Sequence, residues 1–158
     1  MREQNYTNNG ERTMILVSAC LAGRKCRYDG SAKTVGAIAR AVREGEVLCA
    51  CPEMMAGMKI PRVAAEIRGG DGFDVLRGAA EVYNKEGVCV TAEFVLGAQR
   101  FLQFVKKRKI TEVWLKAKSP SCGMSKIYDG AFEGALKDGC GVTCALLMKN
   151  GIKIVEIP

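Results

Sequence analysis

Residues 14–19 read MILVSA, a short, mainly apolar run with β-branched members, too short for a helix and followed by a loop rich in glycine and charge. That pattern predicts a buried strand ending at Cys20. Between 33 and 44 the period changes: Val35, Ile38, Ala39 and Val42 share one helical face, and Gly45 supplies the stop. A second short strand over 47–50 runs into Cys51-Pro52-Glu53. The result is a strand–helix–strand unit, whose crossover is right-handed if the strands are parallel.

From 54 to 74 the pattern dissolves into a Gly-rich stretch with a short extended piece near 64–67, and Gly69-Gly70-Asp71-Gly72 reads as a turn. Residues 81–83 and 88–90 read as hairpin arms around Asn84-Lys85-Glu86-Gly87. Helical spacing returns over 92–107, carrying Phe94, Val95, Ala98, Phe101, Leu102 and Val105, with Thr91 as its N-cap. The alternating segment 111–117 predicts a strand that stops just before Ser119-Pro120-Ser121-Cys122-Gly123. A helix over 142–150 and a strand over 153–157 complete the pattern. Strands alternating with helices predict an α/β fold: a single-domain open, mainly parallel sheet with helices on both faces. At 158 residues the chain suits one domain, 14–158, preceded by a flexible extension over 1–13.

Composition narrows the function classes. Hydrophobic residues make up 48% and charged residues 26%, a globular balance. No apolar run reaches the roughly 20 residues that span a bilayer. The polar start of the chain fits neither a signal peptide nor an anchor, so a cytoplasmic protein with no membrane contact is expected. The net charge of +7 leaves a polyanion partner open without requiring one. The densest basic run, Lys106-Lys107-Arg108-Lys109, closes a predicted helix, where it complements the macrodipole.

Eight cysteines and no histidine change the picture more. In a reducing compartment structural disulfides are disfavoured, so metal, cluster or thiol chemistry becomes the leading use for some of the thiols. Without histidine, any proton transfer falls to Glu, Asp, Ser, Tyr, Lys or Cys. Cys20, Cys51 and Cys122 each lie just past the carboxyl end of a predicted strand, the edge at which open α/β sheets bind ligands. Gly23, Pro52, Pro120 and Gly123 lie close by, and the glycines let backbone approach a bulky inorganic group. Three soft thiolates suit an iron–sulfur cluster or zinc. A free cysteine is more often a small buried hydrophobe, and Cys89, Cys49 and Cys144 are expected to be that, although Cys140 and Cys144 at i,i+4 also form a thiol pair able to bind metal. No C-x-x-C, ferredoxin, Walker or G-x-G-x-x-G pattern is present.

At these same residues the chain resembles the domain of unknown function 523 family, which includes thiouracil desulfidases. The resemblance rests on an ordered set of segments: Val17-Ser18-Ala19-Cys20-Leu21, Cys26-Arg27-Tyr28-Asp29-Gly30, Cys51-Pro52-Glu53, Ala65-Glu66-Ile67, Gly69-Gly70-Asp71-Gly72, Val90-Thr91-Ala92-Glu93-Phe94, Lys118-Ser119-Pro120-Ser121-Cys122-Gly123, Ile127-Tyr128-Asp129-Gly130 and Gly141-Val142-Thr143. It implies a 4Fe–4S cluster on Cys20, Cys51 and Cys122, with the fourth iron facing substrate. It also implies Glu53 and Ser119 as catalytic groups, and hydrolytic removal of sulfur from a thiolated pyrimidine or related thioamide. Cys26 lies near the cluster loops but is not counted as a ligand. Two other readings compete: a cluster enzyme carrying sulfur to or from tRNA, and a non-catalytic zinc or thiol protein.

Overall fold

The computed structural model describes residues 14–158; the extension expected over 1–13 lies outside them. Strand β1 (Ile15–Ser18) runs into a 3-10 turn, Ala19–Ala22, and the chain then reaches α1 (Gly36–Arg43), β2 (Leu48–Ala50) and α2 (Pro52–Met55). Next come β3 (Ala65–Arg68), α3 (Gly72–Leu76), β4 (Glu81–Asn84) and the long α4 (Thr91–Lys107). Strands β5 (Glu112–Lys116), β6 (Lys126–Tyr128) and β7 (Leu136–Asp138) precede α5 (Val142–Lys149) and β8 (Lys153–Ile157).

The central sheet is four-stranded, in the order β2-β1-β5-β8, and every pairing in it is parallel. Strand periodicity decides its two faces. Leu16, Val113 and Leu115 point to one side, where Phe101 and Val105 of α4 and Cys144 and Leu147 of α5 close a core. Ile15, Val17 and Trp114 point to the other, against Ile38 of α1. Helices therefore cover both faces, as the alternating pattern predicted. A third cluster joins Ile67 and Val82 of the β3–β4 pair to Val75, Phe94, Ile127 and Val142. No helix of the described residues is long and apolar enough to cross a membrane.

Several local expectations are corrected. Strand β4 pairs along its whole length with β3, and the expected hairpin with 88–90 shrinks to one bridge between Tyr83 and Cys89. Cys89, expected in the core, is exposed. Thr91 is the first residue of α4 rather than its cap, and its hydroxyl accepts from the Val82 amide at 2.9 Å, tying the helix start to β4. Gly69-Gly70-Asp71-Gly72 does more than turn: Asp71 caps α3 in a reciprocal box with Asp74.

Candidate functional site

Because β1, β2 and β5 are parallel, their carboxyl ends lie on one edge, and the chain crosses from the β2 side to the β5 side over β1. Ligand-binding crevices form where strand order reverses in this way. The cavity here, about 490 Å³, is lined by Cys20 after β1, Cys51 after β2 and Cys122 after β5. Cys26, Glu53, Arg62 and Ser119 line it too. The sheet thus brings together all five residues singled out from the sequence, and with them the thiol of Cys26 and the guanidinium of Arg62.

Each ligand loop is held by its own local device. Cys20 sits in the 3-10 turn that continues β1, closed by Gly23 in the left-handed region at φ 91°. Cys51 is the N-cap of α2, with Pro52 at the first helical position, where a missing amide proton is tolerated. Glu53 therefore falls in the first turn of α2, and its Oε2 accepts from the Cys51 thiol at 3.0 Å. Ser119 Oγ accepts from the amides of Ser121 and Cys122, both at 3.1 Å, so its own proton is free to be given elsewhere. Behind the third loop, Ser121 and Thr143 share a buried hydroxyl–hydroxyl bond of 2.8 Å.

Gly141 lies against that loop so closely that a Cβ there would stand 2.4 Å from the Ser121 carbonyl group. Gly141→Ala should therefore destabilise the fold by about 1–3 kcal/mol through overpacking, seen as a lower urea midpoint. It should also shift the Cys122 loop.

The thiols are poor anions in the protein alone. Burial, helped by neighbouring Cys26 and Glu53, pushes the Cys20 thiol up to about 11. Hydrogen bonding with Cys26, then burial and Glu53, raises Cys51 far more, and burial does the same to Cys122. Three thiols facing one cavity, those of Cys20 and Cys122 buried and that of Cys51 partly so, suit a cationic iron group, which favours their deprotonation. A single zinc ion needs its sulfurs about 2.3 Å from one centre. Among the described residues no three Cys, Asp or Glu side chains form a group that could hold one metal ion. The thiols line a cavity that has room for a larger, polynuclear group.

Of the remaining thiols, Cys26 is buried in the site. Cys140 and Cys144 are buried behind it; the neighbouring Cys140 thiol, then burial, pushes Cys144 up, and the Cys140 thiol donates to Asp71 Oδ2 at 3.9 Å. Cys49 is only partly buried. The sequence reading missed Arg62, an isolated residue after Pro61 in the connection between α2 and β3. Its Nη2 donates to the Cys26 carbonyl at 3.1 Å and lies 3.8 Å from Glu53 Oε2. Glu66, buried on β3, also lines the cavity and accepts from the Gly130 amide at 2.9 Å. Its segment was read as part of the resemblance, without a role.

Fold and site define an α/β protein with a thiol-lined cavity at the sheet's switch point. The chain belongs to the 2-thiouracil desulfurase family, whose model matches residues 15–157. It is 44% identical over 143 residues to the uncharacterized protein YbbK of Bacillus subtilis (strain 168), covering 90% of this chain and 95% of that one. Among solved structures it is similar to the [4Fe-4S]-dependent thiouracil desulfidase TudS (DUF523Vcz), 39% identical with a TM-score of 0.80. That likeness covers 92% of this chain and 91% of the other.

Proposed function

We propose that the protein is a 4Fe–4S-dependent desulfidase that hydrolyses the thiocarbonyl of a thiouracil, giving the oxo base and hydrogen sulfide. The observation that carries this reading is the convergence of Cys20, Cys51 and Cys122 on one cavity, in a chain with the fold of a cluster-dependent thiouracil desulfidase. When bound on those three thiolates, the cluster supplies an iron with no cysteine ligand, a soft Lewis acid for the thiocarbonyl sulfur.

The chain's own residues do the rest. Glu53, beside Cys51 and only 11% exposed, is placed to take a proton from the attacking water. As a cluster ligand Cys51 would be held as a thiolate, and the Glu53 Oε2 that now accepts its proton would be open to water. Ser119, its lone pairs holding the Cys122 loop, keeps a proton to donate to the substrate. Met58 and Phe94 add apolar surface to the cavity wall, which limits water around the reacting carbon. Net chemistry is C=S plus water to C=O plus hydrogen sulfide, with no redox change. Anaerobic reconstitution followed by incubation with thiouracil should release sulfide and uracil in equal amounts; absence of both from a fully loaded protein would sink the reading.

A second reading has an observation of its own. The cavity is also lined by Arg27, Lys33, Lys85, Lys116 and Lys118, against the two carboxylates Glu53 and Glu66, both of which are engaged in contacts within the site. A thiolated base carried on a phosphate backbone, as in tRNA, suits such a mouth. Binding of tRNA should then weaken steeply between low and moderate salt, and its thionucleoside content should fall on incubation. Salt-independent binding and unchanged thionucleosides would restrict the enzyme to small substrates.

A further inference from the structure

Resting on the thiouracil reading, we propose that Arg62 is the residue that recognises the oxygen of the pyrimidine that is not exchanged, the carbonyl left beside the reacting thiocarbonyl. Its guanidinium is held on one side and unspent on the other. The backbone amide of Arg62 donates to Tyr28 O at 2.7 Å, Nη2 donates to Cys26 O at 3.1 Å, and Nη2 lies 3.8 Å from Glu53 Oε2. Nη1 is buried and has no acceptor; it is the sole buried side-chain nitrogen or oxygen among the described residues in that condition.

Buried guanidinium N–H groups are seldom left unpaired, so an unpaired one on a residue that lines a cavity points to an acceptor brought by a ligand. The side chain is only 13% exposed, and Arg62 shares the cavity with Cys51 and Glu53, at the end where the chemistry is placed. A thiouracil offers two acceptors of different character. Its sulfur is soft and suits iron; its carbonyl oxygen is hard, with in-plane lone pairs that match a planar donor. Placing the oxygen on Arg62 therefore leaves the sulfur for the metal and fixes which carbon faces Glu53. The Arg62 side chain is anchored directly to the main chain of a residue whose thiol lines the cavity, Cys26.

Each thiouracil isomer should be compared with the pyrimidinethione that carries hydrogen where that isomer carries oxygen. Cluster-loaded wild type should prefer the isomer with oxygen by about 100-fold in kcat/KM, the scale of one buried, charge-assisted hydrogen bond. Arg62→Met should remove the preference by slowing the oxygen-bearing substrate far more than its oxygen-free counterpart, with iron content unchanged. Arg62→Lys, which keeps the charge but not the fork, should fall between them. Independently of turnover, calorimetric titration of cluster-free protein with uracil should show at least about 10-fold weaker binding in Arg62→Met. Equal losses on both substrates would show that Arg62 acts only by holding Glu53 and would overturn the proposal, as would unchanged uracil affinity. If loaded wild type releases no sulfide from any of these compounds, the desulfidase reading fails. The uracil titration of wild type against Arg62→Met then decides the role of Arg62 by itself.

Discussion

Replacing Cys20, Cys51 or Cys122 by alanine is expected to take the protein from about four irons per chain to near zero, and to abolish sulfide release with it. Each of these thiols sits on a separate loop, so none can stand in for another without backbone movement. Two remaining thiolates leave a cubane exposed at two irons, and metal sites of this kind draw their affinity from a complete ligand set. The controls matter as much as the variants. Cys89 is exposed, with its sulfur 3.2 Å from Thr91 Oγ1 at the start of α4, and Cys89→Ala should keep both colour and iron. Cys26→Ala is the sharper comparison, because Cys26 shares the cavity and touches Cys51. It should also retain iron, since its place in the site is beside a ligand rather than at a fourth strand end. Anaerobic reconstitution, visible absorbance and iron-to-sulfide stoichiometry measure all five variants. An iron-free Cys26→Ala alongside an iron-retaining member of the first three would reassign the ligands.

The parts of the molecule legible in the sequence are those in which many residues repeat one message. Strands β1 and β5 show as short apolar or alternating runs, and α4 repeats its apolar face over 17 residues, enough turns for the 3.6 period to stand out. Since the sheet is parallel, locating those strand ends also located the cavity. Short elements escaped. Helix α2 has four residues and strands β6 and β7 three each, barely more than one period, so no contrast between faces can repeat. Helix α3 hid behind glycines, because its signal is the Asp71–Asp74 capping box rather than an apolar stripe. Thr91 was misassigned for a tertiary reason: the Val82 amide of β4 takes the hydroxyl that a local reading gives to the helix. Cys89 failed similarly, since an apolar neighbourhood in sequence does not say that the strand beside it ends before it can be covered. Arg62 carries no pattern at all; only folding places it between Cys26 and Glu53.

Glu53→Gln is expected to keep the cluster and lose turnover by about 10²–10⁴-fold, the usual range for a general base. Glutamine matches glutamate in volume, so α2 and the Cys51 cap should stay in place, and Arg62 Nη2 keeps an oxygen within reach. What glutamine cannot do is accept a proton at neutral pH. The distinction is needed because Glu53 has an ordinary structural use as well: an acidic residue in the first turn of a helix, where it complements the macrodipole. At a largely buried position that use is worth up to about 2 kcal/mol and touches stability alone. A variant with wild-type iron, an unchanged melting temperature and turnover reduced at least 100-fold would therefore assign Glu53 to the chemistry. Turnover within a few-fold of wild type would leave it a capping charge and shift the search for a base to Glu66, the other carboxylate in the cavity wall. Glu66 is the weaker candidate on geometry, since its Oε1 already accepts from the amides of Gly130 and Phe132 at 2.9 and 3.2 Å. Accepting a substrate proton there would mean giving up contacts that hold the loop between β6 and β7 against β3.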